Sequence, residues 1–230
     1  MQGVNMKVPV SKCIELAAFS IRMFSKFPDN AVLVALAAGL QAASDDLWNA
    51  QSAYEGALRA MIPTRVDVKF ENLVSDRRIR LTQQKAEIAD GKKDGRIGKV
   101  LFPEGSSPIT RLLGQSQVDA MKDLEGRLEA TVPLWSDATS EKADIKKYRE
   151  SYKTAIDGRQ SAEQKAQDLL ALRDAAKDRF VTKYSQTQSL VEAEFPRDKP
   201  MQELFFDEVR TKSVQEKADT PEEQTPADGG

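Results

Sequence analysis

The 230-residue chain contains no histidine. Imidazole is the commonest general base near neutral pH and the commonest transition-metal ligand, so its absence removes the usual Ser or Cys triads and most transition-metal sites. The Glu-x-x-His pairs of di-iron carboxylate bundles are missing for the same reason. One cysteine, Cys13, excludes an internal disulfide and a thiolate cluster. It reads as a small buried apolar residue and is compatible with a reducing compartment. Aromatic residues make up only 7%. Ala and Leu dominate the apolar positions, which suits helix-on-helix packing better than sheets. Helix breakers are also unevenly spread. The 62 residues Leu134–Phe195 hold no proline and one glycine, Gly158, and Thr64–Asp90 holds neither. Such runs predict long α-helices.

Long hydrophobic runs are missing too. The N-terminal apolar stretch is interrupted by Glu15 and Arg22, so no signal peptide is read. Ala31–Ala43 carries no charge but covers 13 residues, short of the roughly 20 that span a bilayer. The expectation is a soluble, cytoplasmic protein.

What is present is helical periodicity. Residues 12–25 predict a short amphipathic helix with Ile14, Ala17, Ala18 and Ile21 on one face. Asp29 or Asn30 is placed to cap the next helix. That helix carries a seam at spacings of three and four: Leu33, Leu36, Leu40, Ala43, Leu47, Ala50, Tyr54, Ala57 and Met61. Ala31–Leu40 is apolar all round, which predicts burial on every side. Pro63 predicts a kink or short break, after which the seam resumes out of phase at Phe70, Val74, Leu81 and Ile88. Asp90-Gly91 ends the helix. Residues 91–114 are rich in Gly and Pro and predict an irregular loop in which Val100-Leu101-Phe102 docks on the bundle and Ser107-Pro108 opens one short turn.

A helix over 116–131, with capping-box spacing at Ser116 and Asp119, is lined by Val118, Met121, Leu124 and Leu128 and stopped by Pro133. The longest helix is expected over 137–192. Its seam reads Ile145, Tyr148, Tyr152, Ala155, Ala162, Ala166, Leu169, Ala176, Phe180 and Leu190, interrupted by Arg159, Arg173, Lys183 and Thr187. Met201–Val209 predicts a short last helix packing Leu204, Phe205 and Phe206 inward. Residues 211–230 are polar, acidic and expected to be disordered.

Two segments invite a chemical reading. Residues 90–101, DGKKDGRIGKVL, are similar to a calcium-binding EF-hand loop in Asp90, Asp94, Gly95 and Ile97. Lys92 occupies a ligand position, however, and Leu101 stands where the bidentate glutamate belongs, so a glycine-rich turn is the better reading. Gly98-Lys99 lacks the rest of a P-loop. Charge is also uneven. Residues 65–111 hold eleven basic and seven acidic side chains, whereas 112–230 hold eighteen basic and twenty-four acidic. Interleaved acids and the lack of an aromatic stacking motif favour helix-pairing complementarity over a nucleic-acid surface.

The expected fold is therefore all-α: an elongated antiparallel helical bundle on two long helices, about 30–90 (kinked at Pro63) and 137–192, with shorter flanking helices. The expected organisation is one domain over 1–210, including loop 91–114, followed by an acidic tail. No nucleophile–base pair, metal cluster or cofactor motif is found, so no catalytic, metal or cofactor residue is assigned. The expected role is a non-enzymatic structural or adaptor protein that contacts itself, as a homo-oligomer, or another protein. The candidate interaction residues are Trp48, Arg77, Arg78, Lys99, Phe102 and Arg111. The alternatives are nucleic-acid association through 65–111 and peripheral membrane binding through the amphipathic helix 12–27.

Overall fold

A computed structural model describes residues 4–207. They are 80% helical without strands, and the two long helices pack against each other with shorter helices at their flanks. In chain order the helices are α1 (Val10–Phe24), α2 (Ala31–Ala89), α3 (Arg96–Leu101), α4 (Ser107–Thr110), α5 (Gln115–Thr131), α6 (Ala138–Glu194) and α7 (Lys199–Leu204). The described residues form two compact units. One joins the chain up to Ala53 to the chain from Leu170 onward; the other is Tyr54–Leu169.

In the first unit, the start of α2 lies antiparallel to the end of α6. Asn30 reaches Glu194, and Arg179 holds Asp46 at 2.6 Å. Asn30 caps α2 as its sequence suggests, its side-chain oxygen accepting from the Val32 and Leu33 amides. Leu33, Leu36, Leu40 and Leu47 are buried with Cys13, Leu16, Ala17 and Phe24 of α1 and with Ala176, Phe180, Tyr184 and Val191 of α6. The core is closed by aromatic contact. Phe205, just past α7, stacks on Phe24 with ring centres 5.2 Å apart and on Phe195 at 5.6 Å. α7 starts two residues earlier than expected, at Lys199, where Asp198 caps it by accepting from the Met201 amide at 3.1 Å, and it ends at Leu204. Leu204 itself is exposed. Val209 and the 211–230 tail lie outside the described residues.

Three expectations in this unit are corrected. The inward face of α1 is Cys13, Leu16, Ala17, Ser20 and Phe24, rotated from the Ile14/Ala18 reading; Ala18 is exposed and Ile14 only half-buried. The α6 seam passes through Phe180, Tyr184, Thr187 and Val191, not Lys183 and Leu190. Lys183 instead lies over Gly39, where a Cβ would come within 2.8 Å of its Cε. Ala31–Leu40 is buried on one face only, with Val32 and Val34 exposed. Most of its outward residues are alanine, too small to demand cover.

In the second unit, the rest of α2 lies antiparallel to the start of α6, and α3, α4 and α5 pack on them. Ile79 and Ala86 of α2 share a core with Ile97, Leu101, Phe102, Ile109, Met121, Leu124, Leu128, Trp135, Ala138 and Ile145. α2 runs through Pro63 without a break. One turn is adapted there: the Thr64 hydroxyl donates to the Met61 carbonyl at 3.0 Å. Hydroxyl back-bonding of this kind accommodates local bending where proline removes a backbone donor.

Loop 91–114 is more ordered than its composition suggests. The Asp90 carboxylate accepts from the Ile97 and Gly98 amides at 3.0 and 2.8 Å and so caps α3. Gly95 is required because a Cβ there would lie 2.4 Å from the Asp90 side chain. α5 is preceded by Gly114 at its N-cap, whose φ of +62° suits glycine and whose amide donates to Tyr152 Oη at 2.9 Å. The Ser116/Asp119 capping box does not form. Asp119 instead accepts from Gln115.

Candidate functional site

The inward face of α2 in the second unit is polar. Ser75 and Thr82 are buried there beside Ile79 and Ala86. This face is held by charge. Glu141 of α6, only 2% exposed, accepts from Arg78 at 2.5 Å, Thr82 at 2.8 Å and Lys85 at 2.6 Å. Arg78 also meets Asp144 at 2.8 Å. Burial pushes the Glu141 carboxyl up, but hydrogen bonds from Lys85 and Thr82 and the Arg78 charge outweigh it, so its pKa lies below the ordinary glutamate value. Gln117 of α5 makes a second polar clamp, accepting from Asn72 and donating to Asp76, both at 2.6 Å. A third joins Arg149 to Glu125 at 2.5 Å.

The opposite face of α2 is apolar and open to water. Leu58, Ile62, Val66, Phe70, Leu73, Leu81 and Ile88 are all exposed, Phe70 at 58% and Ile88 at 79%. Their spacings of three and four place them on one stripe, on which Arg77 and Gln84 fill the polar gaps. The sequence seam Phe70, Val74, Leu81, Ile88 is therefore not the internal seam. Three of its four members face solvent, and Val74 is half-buried. The periodicity is real, but it marks the outside, because the inward face combines Ile79 and Ala86 with hydrogen-bonded and ion-paired side chains such as Asp76, Arg78 and Thr82. An exposed apolar row of this length is the kind of surface at which interaction sites are found.

The six candidate interaction residues fall in different settings. Arg77 lies on the open stripe. Arg78 is buried in the Glu141 pairs and Phe102 in the core of the second unit, so both serve packing. Lys99 on α3 and Arg111 after α4 are exposed, and Trp48, in the other unit, is 57% exposed beside the buried Leu47. The structure does not gather these residues into one site. The sequence seams leave out the stripe residues Leu58, Ile62, Val66 and Leu73. Their signal, an apolar row on the face opposite the polar one, was present in the sequence.

Open concavities lie on the second unit, and two of them are formed between α2 and α6. One, of about 670 Å³, is lined by Arg65, Lys69, Asn72, Tyr152, Arg159 and Glu163, among others. Arg159 there is taken up by Glu163 at 2.7 Å. The other, of about 690 Å³, is lined by Asp67, Glu71, Lys146, Lys147 and Glu150 among others, a mixture of signs. Among the described residues no group of three or more Cys, Asp or Glu side chains is arranged to hold a metal. Asp90, the first position of the EF-hand-like segment, spends both carboxylate oxygens on backbone amides. Those hydrogen bonds outweigh desolvation and lower its pKa. α2 also contains a window apolar enough by length and composition to cross a membrane, near its start, although Leu33, Leu36, Leu40 and Leu47 there are packed in the core. Comparison with protein-family models, curated proteins and solved structures gives no match, so the functional reading rests on this chain's own residues.

Proposed function

We propose that the protein is a non-enzymatic structural or adaptor protein that works by docking another helix on the outward face of α2. The observation that carries this reading is the reversal of polarity across one helix. The open face Leu58–Ile88 is more apolar than the buried face Ser75–Ala86. A surface evolved only for contact with water has no use for Ile, Val, Phe and Leu at helical spacing over eight turns. The middle basic segment offers less for a nucleic-acid role. Arg78 and Lys85 are committed to Glu141, and acids are interleaved with the rest.

A photo-crosslinking residue at position 66, introduced in the full chain and irradiated in native lysate, tests this. The expected result is a discrete polypeptide adduct that still forms when irradiation is done in high salt, as apolar contacts allow, and that disappears when Phe70 and Leu73 are changed to Glu. Absence of any polypeptide adduct at this position, with the helical circular dichroism intact, would remove the docking reading.

A further inference from the structure

The outward stripe of α2 keeps its spacings of three and four on either side of its midpoint, so it can be laid antiparallel on itself. Leu73 stands at the centre. Counting outward, Phe70 is matched by Arg77, Val66 by Leu81, Ile62 by Gln84 and Leu58 by Ile88. We propose that this face pairs with the same face of a second copy of the chain, the two α2 helices running antiparallel about a two-fold axis beside Leu73. The inference rests on the docking reading and names its occupant.

An isologous interface must be complementary to itself under the two-fold rotation. Antiparallel pairing lays the Arg77 guanidinium of each copy over the Phe70 ring of the other, a cation–π contact that gives the one stripe cation a favourable partner. It sets Val66 against Leu81 and brings Leu73 onto its own symmetry mate. Lys69 and Asp76 are seven residues apart and share one edge of the helix. Antiparallel helices face like edges to each other, so Lys69 of each copy meets Asp76 of the other. One Asp76 oxygen is already held by Gln117, which fixes the carboxylate in position. A parallel in-register pair would instead stack Arg77 on Arg77 inside the apolar contact, leaving two like charges desolvated.

The area is sufficient. The exposed apolar side chains of the stripe present on the order of 700 Å² per copy, close to the roughly 800 Å² per partner of a standard protein–protein interface. The stripe, Leu58 to Ile88, spans about 45 Å at the helical rise of 1.5 Å per residue, long enough to fix a single register.

The test uses the purified full chain. Light scattering at micromolar concentration should give twice the 25.5 kDa chain mass. Leu73→Glu should return it to the single-chain mass with unchanged helicity. Cys13 is fully buried, so a short bis-maleimide reports on introduced thiols. Leu73→Cys should link to itself. Val66→Cys and Leu81→Cys should link to each other when mixed, and each only weakly alone. A single-chain mass at every concentration overturns self-pairing. So does a dimer that Leu73→Glu leaves intact, or Val66→Cys linking mainly to itself. A single-chain mass together with a stripe-specific adduct to a different polypeptide overturns the second copy as occupant and leaves the docking reading standing. Loss of both removes both.

Discussion

Glu141 offers the sharpest test of how the second unit is held. Its carboxylate is 2% exposed and accepts from Arg78, Thr82 and Lys85, all on α2. Removing one partner of a buried ion pair costs about 3–5 kcal/mol, because the other charge is left without compensation. Two features reduce that here. Arg78 retains Asp144 at 2.8 Å, and Lys85 is 43% exposed and returns to water. Glu141→Ala should therefore cost about 3 kcal/mol, the low end of the range, or about 6–12 °C in melting temperature at this chain length. Glu141→Gln keeps the shape and one acceptor and should cost about 1–2 kcal/mol. Lys85→Ala should cost under about 1 kcal/mol, as a half-exposed pair does.

The pH dependence supplies an independent check. The folded pKa of Glu141 is depressed, so its stabilisation is complete above the unfolded glutamate value and is lost as pH falls through the folded one. Urea or thermal unfolding followed by circular dichroism, repeated from neutral to acid pH, should show the wild-type and Glu141→Gln curves separated at neutral pH and converging below the ordinary glutamate range. A Glu141→Ala variant as stable as wild type, or a gap that widens on acidification, would refute the reasoning.

Leu40 is fully buried, so Leu40→Ala should cost about 2–5 kcal/mol in chemical unfolding, while Leu81→Ala in the isolated chain should cost far less. Asp90→Ala should cost about 1–2 kcal/mol, as loss of a helix cap does, and selectively speed hydrogen exchange at the Ile97 and Gly98 amides that it caps, measured by NMR. Phe205→Ala should cost about 3–5 kcal/mol, and ending the chain at residue 198 should be at least as damaging, because Phe205 completes the first unit's aromatic core.

The long helices, the Asn30 cap, the Leu33–Leu47 seam and the inward face of α5 were legible in the sequence, because each rests on a local signal: spacing, a capping side chain or a missing breaker. What was illegible depends on contacts distant in sequence. α3 exists because Asp90 reaches across seven residues to its first amides. The inward face of α2 past Pro63 is chosen by Glu141, fifty-six residues or more away from the residues that it binds. Hydrophobic periodicity selects the most apolar face of a helix, and here that face is turned outward. The open stripe was therefore visible as a pattern but assigned to the wrong side. A single sequence does not display the partners of Arg78, which therefore reads as an interaction residue; Phe102 reads both as one and as part of the patch that docks on the bundle, and the core of the second unit matches the docking reading.

The reversed polarity of α2 also bears on how this chain avoids folding inside out. Burial of apolar area alone would favour turning the helix half a revolution, with Phe70 and Leu73 inward and Ser75 and Thr82 in water. The Glu141 and Gln117 clamps oppose that rotation, since turning the helix would strand a buried carboxylate and an amide without donors or acceptors. Their principal contribution is then orientation. They act as keys that admit one azimuth of the helix and keep its stickiest side available.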